Sequence, residues 1–275
     1  MNIIRYFCLA LLCAVPCAAG AQTEVPLLGG QVIIDPGQTD REIESWFRIL
    51  DRNGMRVCRI RMFEEYMHDT SSDTWDFSLF DKAFAAAEKY NIRIFATLFP
   101  LDKNNAVSLG GFKLPSDEAH LARIENYIAR TVGHFSRFSS LYGWVLINEP
   151  GTSGWIPEGE FTDRHYRQWR DSLPENSNKS PYRRLVSFER QRFVTDYNTW
   201  YLGWLAARVR EHDAHSEIHV NNHQLFENIA EYDFPAWRKF LTSLGTSAHP
   251  SWHFNYFQRS RYTVALAANC EIKRS

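Results

Sequence analysis

A strand-then-helix rhythm that repeats six times constrains the fold of this chain more than any other feature of its sequence. Short runs rich in β-branched and aromatic residues alternate with longer runs whose apolar residues recur at helical spacing. Because consecutive parallel strands need a crossover between them, this rhythm predicts an α/β fold with a parallel sheet. The predicted strands lie at residues 31–34, 57–63, 92–99, 142–147, 218–222 and 246–249.

The intervals between these strands carry helical patterns. In the first interval, Thr39 and Glu42 have the spacing of a capping box, and Gly54 follows the last helical residue as a C-terminal stop. Asp76 is the predicted N-cap of a second helix at residues 77–90. Further helices are predicted from near residue 116 and at residues 193–210, 237–244 and 262–274.

Two folds satisfy this rhythm, a doubly wound sheet and a (β/α)8 TIM barrel. No glycine-rich phosphate loop follows any predicted strand, which disfavours a dinucleotide-binding sheet. Polar and charged residues instead gather at the carboxyl ends of the strands, where barrel enzymes build their sites. We therefore favour a barrel, of which residues 22–275 supply about six strand–helix units. The expected domain is an incomplete, C-terminally truncated catalytic barrel.

The first 21 residues have the pattern of a cleaved signal peptide. One positive charge precedes an apolar run of about ten residues, which is too short to span a bilayer. Ala19-Gly20-Ala21 then supplies a small-x-small cleavage site. We expect a periplasmic or secreted protein that has no membrane association after cleavage. Cys58 and Cys270 remain in the mature chain, and their apolar surroundings predict two buried free thiols.

The composition limits the classes of partner. Apolar residues make up 44% of the chain, enough for a sizeable core, so a disordered chain is excluded. The 31 basic and 32 acidic side chains leave a net charge of −1. A surface balanced in this way gives no reason to propose nucleic acid or an anionic membrane as a partner.

The strongest functional pattern is Asn148-Glu149-Pro150 at the end of an apolar strand. In a barrel this position places Glu149 at the mouth, with Asn148 beside it and Pro150 stiffening the turn. A carboxyl group that aromatic neighbours partly desolvate has the raised pKa that a general acid needs. Glu149 is therefore the predicted general acid/base. The alternative is an acidic residue that caps the following loop.

Two arginines on one strand also indicate an acidic site. Arg59 and Arg61 are two residues apart, so their side chains share one face of the strand. Two cations on one face of an otherwise apolar strand are unfavourable unless nearby carboxylates balance their charge. The alternative for either residue is a structural salt bridge. We predict that both bind substrate.

Other predicted substrate-binding residues follow the strands. Glu64, followed by Glu65, comes after the second strand. We predict that it contacts a sugar hydroxyl, and the alternative is that both acids lie in a solvated loop. Amide, imidazole and indole groups suit a pyranose, because they supply hydrogen bonds and a flat apolar face. The residues of this kind are Asn222, His223, His249 and Trp252.

Histidines at four-residue spacing raise the alternative of a metal site. His219 precedes His223 at this spacing, and His249 precedes His253 in the same way. The spacing aligns two imidazoles only on a helix, whereas the first pair lies on a predicted strand and Pro250 interrupts the second. We predict no metal and no cofactor, and keep a metal-dependent barrel hydrolase as an alternative.

These motifs resemble those of the clan of retaining β-glycosidases built on (β/α)8 barrels. Asn148-Glu149-Pro150 resembles the acid/base motif of that clan, and Cys58-Arg59-Ile60 is similar to its Arg-Ile segment. The WDFSLFD segment that begins at Trp75 is similar to the β-galactosidase-like members, and His249 matches a strand-six position. The resemblance is nearest to the exported Bacteroides β-mannosidases of glycoside hydrolase family 164, and more distant to β-galactosidase family 42.

The resemblance implies retaining hydrolysis of terminal β-mannosides or β-galactosides in an oligosaccharide or glycan. In it Glu149 protonates the glycosidic oxygen, Asn148 binds the sugar 2-hydroxyl and Arg59 steadies the nucleophile. The nucleophile of the clan is a Glu that ends the seventh strand, and we expect it beyond Ser275, which would leave this chain inactive by itself. A non-catalytic glycan-binding remnant is the alternative from a different class. The sequence is compatible with a homo-oligomer and does not determine the oligomeric state.

Overall fold

The alternation of strands and helices is present throughout the described chain. The computed structural model describes residues 27–102, 114–150, 156–173, 186–222, 232–247 and 261–274, so the predicted signal peptide lies outside it. The strands are β1 (Gly29–Val32), β2 (Val57–Phe63), β3 (Arg93–Phe99), β4 (Leu141–Asn148), β5 (Glu217–Asn222) and β6 (Ser243–Thr246). The helices are α1 (Asp40–Arg52), α2 (Ser78–Lys89), α3 (Glu118–Phe135), α4 (Glu160–Ser172), α5 (Val186–Arg210), α6 (Phe234–Trp237) and α7 (Tyr262–Arg274).

The order of the strands distinguishes the two folds that the sequence allowed. All six strands are parallel and lie in the sheet in their sequence order, from β1 to β6. A doubly wound sheet reverses its strand order at a switch point, whereas a barrel adds each new strand beside the previous one. The winding is therefore that of a barrel, as predicted. A short helix at Glu64–Tyr66 and a hairpin of His68–Asp69 with Thr74–Trp75 extend the connection after β2.

The two faces of the sheet have different compositions, and β2 shows the division most clearly. Cys58, Ile60 and Met62 are buried in the core between the sheet and its helices. Arg59 and Arg61 alternate with them and lie on the opposite face. Since side chains alternate along a strand, one face can serve the core while the other carries polar groups. The prediction that the two arginines share a face is confirmed.

The first helix follows its sequence prediction closely. The Thr39 hydroxyl accepts a hydrogen bond from the Glu42 backbone N–H, and the Glu42 carboxylate accepts one from the Thr39 N–H at 2.8 Å. This reciprocal pair satisfies N–H groups that the first turn leaves without helical partners. At the other end, Gly54 has a φ of +71°, a left-handed conformation that glycine adopts without strain.

Two predicted elements near the end of the chain are wrong. Residues 237–244 do not form a helix: α6 ends at Trp237, and β6 begins at Ser243, three residues before the predicted strand. The helix is displaced because Asp233 caps it, accepting a hydrogen bond from the Ala236 N–H at 3.0 Å. β6 pairs with β5 from Ser243 onward, opposite His219. Gly245 permits this close pairing, because a Cβ there would lie 2.7 Å from the His219 Nε2.

Smaller corrections concern a cap and a cysteine. The N-cap position of α2 is Phe77, although the Asp76 carboxylate still accepts a hydrogen bond from the Ser78 N–H at 2.8 Å. Cys58 is a buried free thiol, as predicted, but Cys270 is exposed on α7. Among the described residues no helix combines the length and the apolar character that a membrane crossing requires.

The two described thiols should differ sharply in reactivity. Burial raises the pKa of Cys58 to about 12, so its reactive thiolate form is scarce at pH 8. We expect iodoacetamide to label Cys270 in the folded protein and Cys58 only in denaturant, as measured by peptide mass spectrometry. Rapid labelling of Cys58 without denaturant would contradict the fold.

A buried hydrogen-bonded carboxylate joins β4 to the loop before β5. The Asp213 carboxylate accepts hydrogen bonds from the Trp144 indole N–H at 2.8 Å and from the backbone N–H groups of His215 and Ser216 at 3.0 Å each. Burial by itself would raise the pKa of Asp213, but the bonds from Ser216, Trp144 and His215 hold it below its ordinary value of 3.8. The ionised carboxylate therefore stabilises the folded state.

Asp213→Ala should lower the free energy of unfolding at pH 7 by about 2–3 kcal/mol, because it leaves the Trp144 indole N–H buried without an acceptor. Urea denaturation measures the change, with the exposed Asp171→Ala as the control, for which we expect less than about 0.5 kcal/mol. A carboxyl group with a depressed pKa contributes stability above its unfolded pKa and loses it on acidification. The difference between Asp213→Ala and the unmodified protein should therefore shrink below about pH 4, and a constant difference would contradict this role.

Candidate active site

Polar side chains from successive strands form a continuous hydrogen-bonded row on the face of the sheet away from the core. Arg59 donates from Nε to the Thr97 hydroxyl at 2.7 Å and from Nη2 to the Asn148 Oδ1 at 2.8 Å. Asn221 donates from Nδ2 to the same Asn148 Oδ1 at 3.2 Å and to the Ser247 hydroxyl at 2.9 Å. We call these five residues the polar row. It connects β2, β3, β4 and β5 to the residue that follows β6.

Asn148 lies at the centre of the polar row, and its neighbours determine its orientation. The Arg59 guanidinium and the Asn221 amide nitrogen both donate to its Oδ1. Because both neighbours are donors, the opposite orientation of the Asn148 amide would set N–H groups against N–H groups. Its Nδ2 is consequently the group left to donate to an oxygen of a ligand. This orientation suits the predicted contact with a sugar hydroxyl.

Glu149 leaves the strand through a strained backbone conformation. Its φ is +53°, a left-handed conformation that is unfavourable for a residue with a side chain. The Glu149 backbone N–H donates to the Asn221 carbonyl oxygen at 2.9 Å, and the buried Pro150 follows. The surrounding contacts therefore hold Glu149 in a conformation that an isolated chain would avoid. Residues in such conformations cluster at functional sites.

Arg59 is a cation held in a largely buried place. Burial is the main cause that lowers its pKa to about 10, repulsion from Arg61 adds to the effect, and attraction to the Glu149 carboxylate opposes it. Arg59 and Glu149 are therefore close enough to interact electrostatically. For Arg59, this agrees with the expectation that a carboxylate lies near the arginines of β2. Within the described ranges, neither Arg59 nor Arg61 forms a salt bridge with a carboxylate.

Glu64 lies outside the polar row, and both of its carboxylate oxygens contact other residues of the protein. Only 5% of its surface is exposed. One carboxylate oxygen is 2.8 Å from the His68 Nδ1, and the other accepts a hydrogen bond from the Leu101 backbone N–H at 2.7 Å. His68 in turn stacks on Trp75, with ring centroids 4.2 Å apart. These contacts favour a structural role for Glu64 in the connection after β2, and its contact with a sugar stays a prediction.

Asn221 lies in the polar row, whereas the neighbouring Asn222, whose contact with substrate stays a prediction, does not. Asn222 is completely buried and alternates with Ile218 and Val220, which belong to the core. Asn221 has the opposite parity and lies in the polar row. The same alternation, applied to the apolar residues of β3, would have selected Thr97. The predicted site residues His223, His249 and Trp252 lie outside the described residues.

The described residues do not supply the ligands that the alternative of a metal-dependent hydrolase would need. Over the described ranges, no group of three His, Cys, Asp or Glu side chains is placed to hold a metal ion. His219, one of the spaced histidines, has its Nδ1 2.9 Å from the Ser243 hydroxyl and its ring centroid 5.1 Å from that of Phe95. These contacts fit a packed histidine of the sheet. Its predicted partner, His223, lies outside the described residues.

An open groove of about 870 Å³ lies beside the segment that follows β4. Thr162 and Tyr166 of α4 line one side, and Arg190 and Phe193 of α5 line the other. No residue of the polar row lines this groove. The segment after β4 therefore builds a surface feature of its own.

Comparison with known proteins supports the barrel fold. The chain matches no protein-family model, and no curated protein matches it. Among solved structures, a β-galactosidase from Bacillus circulans sp. alkalophilus superposes with a TM-score of 0.67 at 14% identity, over 90% of this chain and 42% of that one. A β-galactosidase from the psychrophilic Marinomonas ef1 gives a TM-score of 0.66 at 12% identity, over 86% and 43%. An endo-1,4-β-mannanase from Rhizomucor miehei gives 0.59 at 14% identity, over 89% and 74%.

These likenesses concern the fold. The chain spans about two fifths of the length of the β-galactosidases that it matches. Together with the sequential parallel sheet, the superpositions confirm the prediction of a TIM barrel of which this chain supplies about six strand–helix units. The resemblance to glycoside hydrolase family 164 stays a prediction from the sequence.

The polar row predicts an energetic coupling between Asn148 and Asn221. In a double-mutant cycle of Asn148→Ala and Asn221→Ala, we expect a coupling of about 0.5–1.5 kcal/mol in the free energy of unfolding, because the two residues share a partly buried hydrogen bond. Urea denaturation of the four proteins measures it. Pairing Asn148→Ala with Asp171→Ala is the control and should be additive. If the effects of the two asparagine substitutions on the free energy of unfolding were additive, the hydrogen bond between Asn148 and Asn221 in the polar row would be contradicted.

Proposed function

We propose that this protein is a glycoside hydrolase in which Glu149 is the general acid/base. The observation that carries the proposal is the Asn148-Glu149 pair at the carboxyl end of β4. There Asn148 is oriented by two donors, and Glu149 is held in a strained conformation beside Arg59. The barrel fold, which this chain has in common with β-galactosidases and an endo-1,4-β-mannanase, supports the same class.

The proposed chemistry begins with proton transfer from Glu149 to the glycosidic oxygen of the departing sugar or alcohol. Protonation converts an alkoxide into a neutral alcohol, which leaves more readily. Asn148 Nδ2 donates to a hydroxyl of the bound sugar, and Arg59 keeps the Asn148 amide in the orientation that allows this. The expected substrates are terminal β-mannosides or β-galactosides.

A retaining mechanism adds a requirement for a second carboxylate. The two carboxyl groups of retaining enzymes are about 5–5.5 Å apart, and the second one attacks the anomeric carbon. Glu64 is engaged with His68 and Leu101. We therefore propose that the nucleophile is a different residue, outside the polar row, as the resemblance to the retaining clan implies.

Replacing Glu149 should affect substrates according to their leaving groups. In a protein that also carries the expected nucleophile, we expect Glu149→Gln to slow the hydrolysis of alkyl β-glycosides about 100-fold or more, because these leaving groups need protonation. Cleavage of 4-nitrophenyl β-glycosides, whose leaving group departs as a stable anion, should fall much less. Initial rates on both series, with mannosides, galactosides and glucosides, measure the contrast. Equal slowing of both series would contradict the acid role. The matched control is Glu211→Gln, because Glu211 is exposed and lies before the amino end of β5.

The second candidate is a glycan-binding protein without hydrolytic activity. It is favoured by one observation: in the described part of the chain, Glu149 is the one carboxylate that attracts Arg59 of the polar row. Applied to a protein that also carries the expected nucleophile, a 2-fluoro glycoside with a good leaving group separates the two functions. A covalent adduct located by mass spectrometry identifies a nucleophile, whereas reversible binding without an adduct or turnover favours the binding protein.

A further inference from the structure

Arg61 is a second cation on the face that carries the polar row, and the described protein leaves it without an anionic partner. It follows Arg59 by two residues on β2 and therefore lies nearer the carboxyl end of the strand, where the site opens. Its Nε is buried and forms no hydrogen bond with any described residue. The guanidinium carbon lies 5.6 Å from the centroid of the Phe99 ring. The ring supports one face of the guanidinium.

Arg59 and Arg61 differ in what they contact. Arg59 uses two of its N–H groups on Thr97 and Asn148 and is attracted by Glu149. Arg61 contacts the Phe99 ring, and its positive charge is repelled by that of Arg59. The nearest acid along the chain from Arg61 is Glu64, whose two oxygens face His68 and the Leu101 N–H.

The contact with Phe99 does not by itself explain a half-buried guanidinium at this position. A cation over an aromatic ring contributes about 0.5–1 kcal/mol at exposed sites. Removing a charged group from water costs several kcal/mol, and a paired anion is the usual compensation. A second positive charge nearby increases the deficit. A guanidinium that keeps its donor fork unused suits the oxygen pair of a carboxylate or of a sulfate.

We propose that Arg61 recognises an oxyanion carried by the substrate, so that the site takes an acidic sugar, either a uronic acid or a sulfated sugar. The proposal rests on the proposed carbohydrate function and deepens it by naming the substrate class. Asn148 and Glu149 act on the hydroxyl groups and the glycosidic oxygen that all glycosides have. Arg61 acts on the one group that distinguishes an acidic sugar from a neutral one.

Binding of matched sugars to the full chain tests this role without requiring turnover. The acidic probes are methyl β-glucuronide and methyl β-galactoside 6-sulfate. Their neutral counterparts are methyl β-glucoside and methyl β-galactoside, and each of the four is titrated by isothermal calorimetry. We expect at least one acidic probe to bind about 10- to 100-fold more tightly than its neutral counterpart, the range that a charge-assisted hydrogen-bonded pair supplies. The acidic probe that is preferred tells a carboxylate from a sulfate.

Variants of Arg61 assign the preference to this residue. Arg61→Gln should abolish the preference for the acidic probe, because it removes the charge and keeps a polar side chain. Arg61→Lys, a second variant in case Arg61→Gln does not fold, should retain part of the preference because it keeps the charge without the fork. The matched control is Arg93→Gln. Arg93 also lies over an aromatic ring, 4.3 Å from that of Tyr142, but it is at the amino end of its strand.

The outcomes separate this proposal from the proposed function. Binding of neutral and acidic sugars with equal affinity would overturn the role of Arg61 and leave the carbohydrate function standing. An acidic preference that persists in Arg61→Gln, or that Arg93→Gln also abolishes, would likewise overturn it. Failure of every probe to bind would overturn the carbohydrate function together with this inference.

Discussion

The alternation of side chains along parallel strands is the constraint on which the rest of this structure depends. Every second residue of β2 lies in the core that the helices cover, and the residues between them lie on the other face. The core face stabilises the sheet by burying apolar surface, so the opposite face is free to carry polar groups at some loss of stability. Arg59 and Arg61 occupy that face because Cys58, Ile60 and Met62 anchor the strand between them.

The polar row shows how the sheet accommodates a buried cation. Arg59 is stabilised by hydrogen bonds from its guanidinium to neighbouring strands and by the nearby charge of Glu149. These contacts also orient Asn148, so the arrangement that satisfies Arg59 prepares the amide for a ligand. The strained backbone of Glu149 is tied to the same row through the carbonyl oxygen of Asn221. Stability and the geometry of the candidate site therefore depend on the same few hydrogen bonds.

Expectations that depend on local sequence agree with the structure, and those that depend on distant contacts differ from it in places. The capping box at Thr39 and the bounds of β2 follow from neighbouring residues, and both are confirmed. The bounds of β6 depend on its pairing with β5, in which Gly245 lies close to His219, a residue distant in the sequence. Glu64 is engaged by His68 and by Leu101, and the latter contact spans a separation that no local pattern indicates.

The sequence by itself determined the alternation of strands and helices, the position of Asn148-Glu149-Pro150 at a strand end, and the common face of Arg59 and Arg61. These follow from periodicities of 2 and 3.6 residues, which are local properties of a chain. Only the tertiary structure decided the sequential order of the strands and the choice of Asn221 over Asn222. It also brought Thr97 and Ser247 into one row with Arg59. The physical reason is that strand register is set by packing between segments far apart in the chain, so the residues that face each other across strands become known only when the sheet has formed.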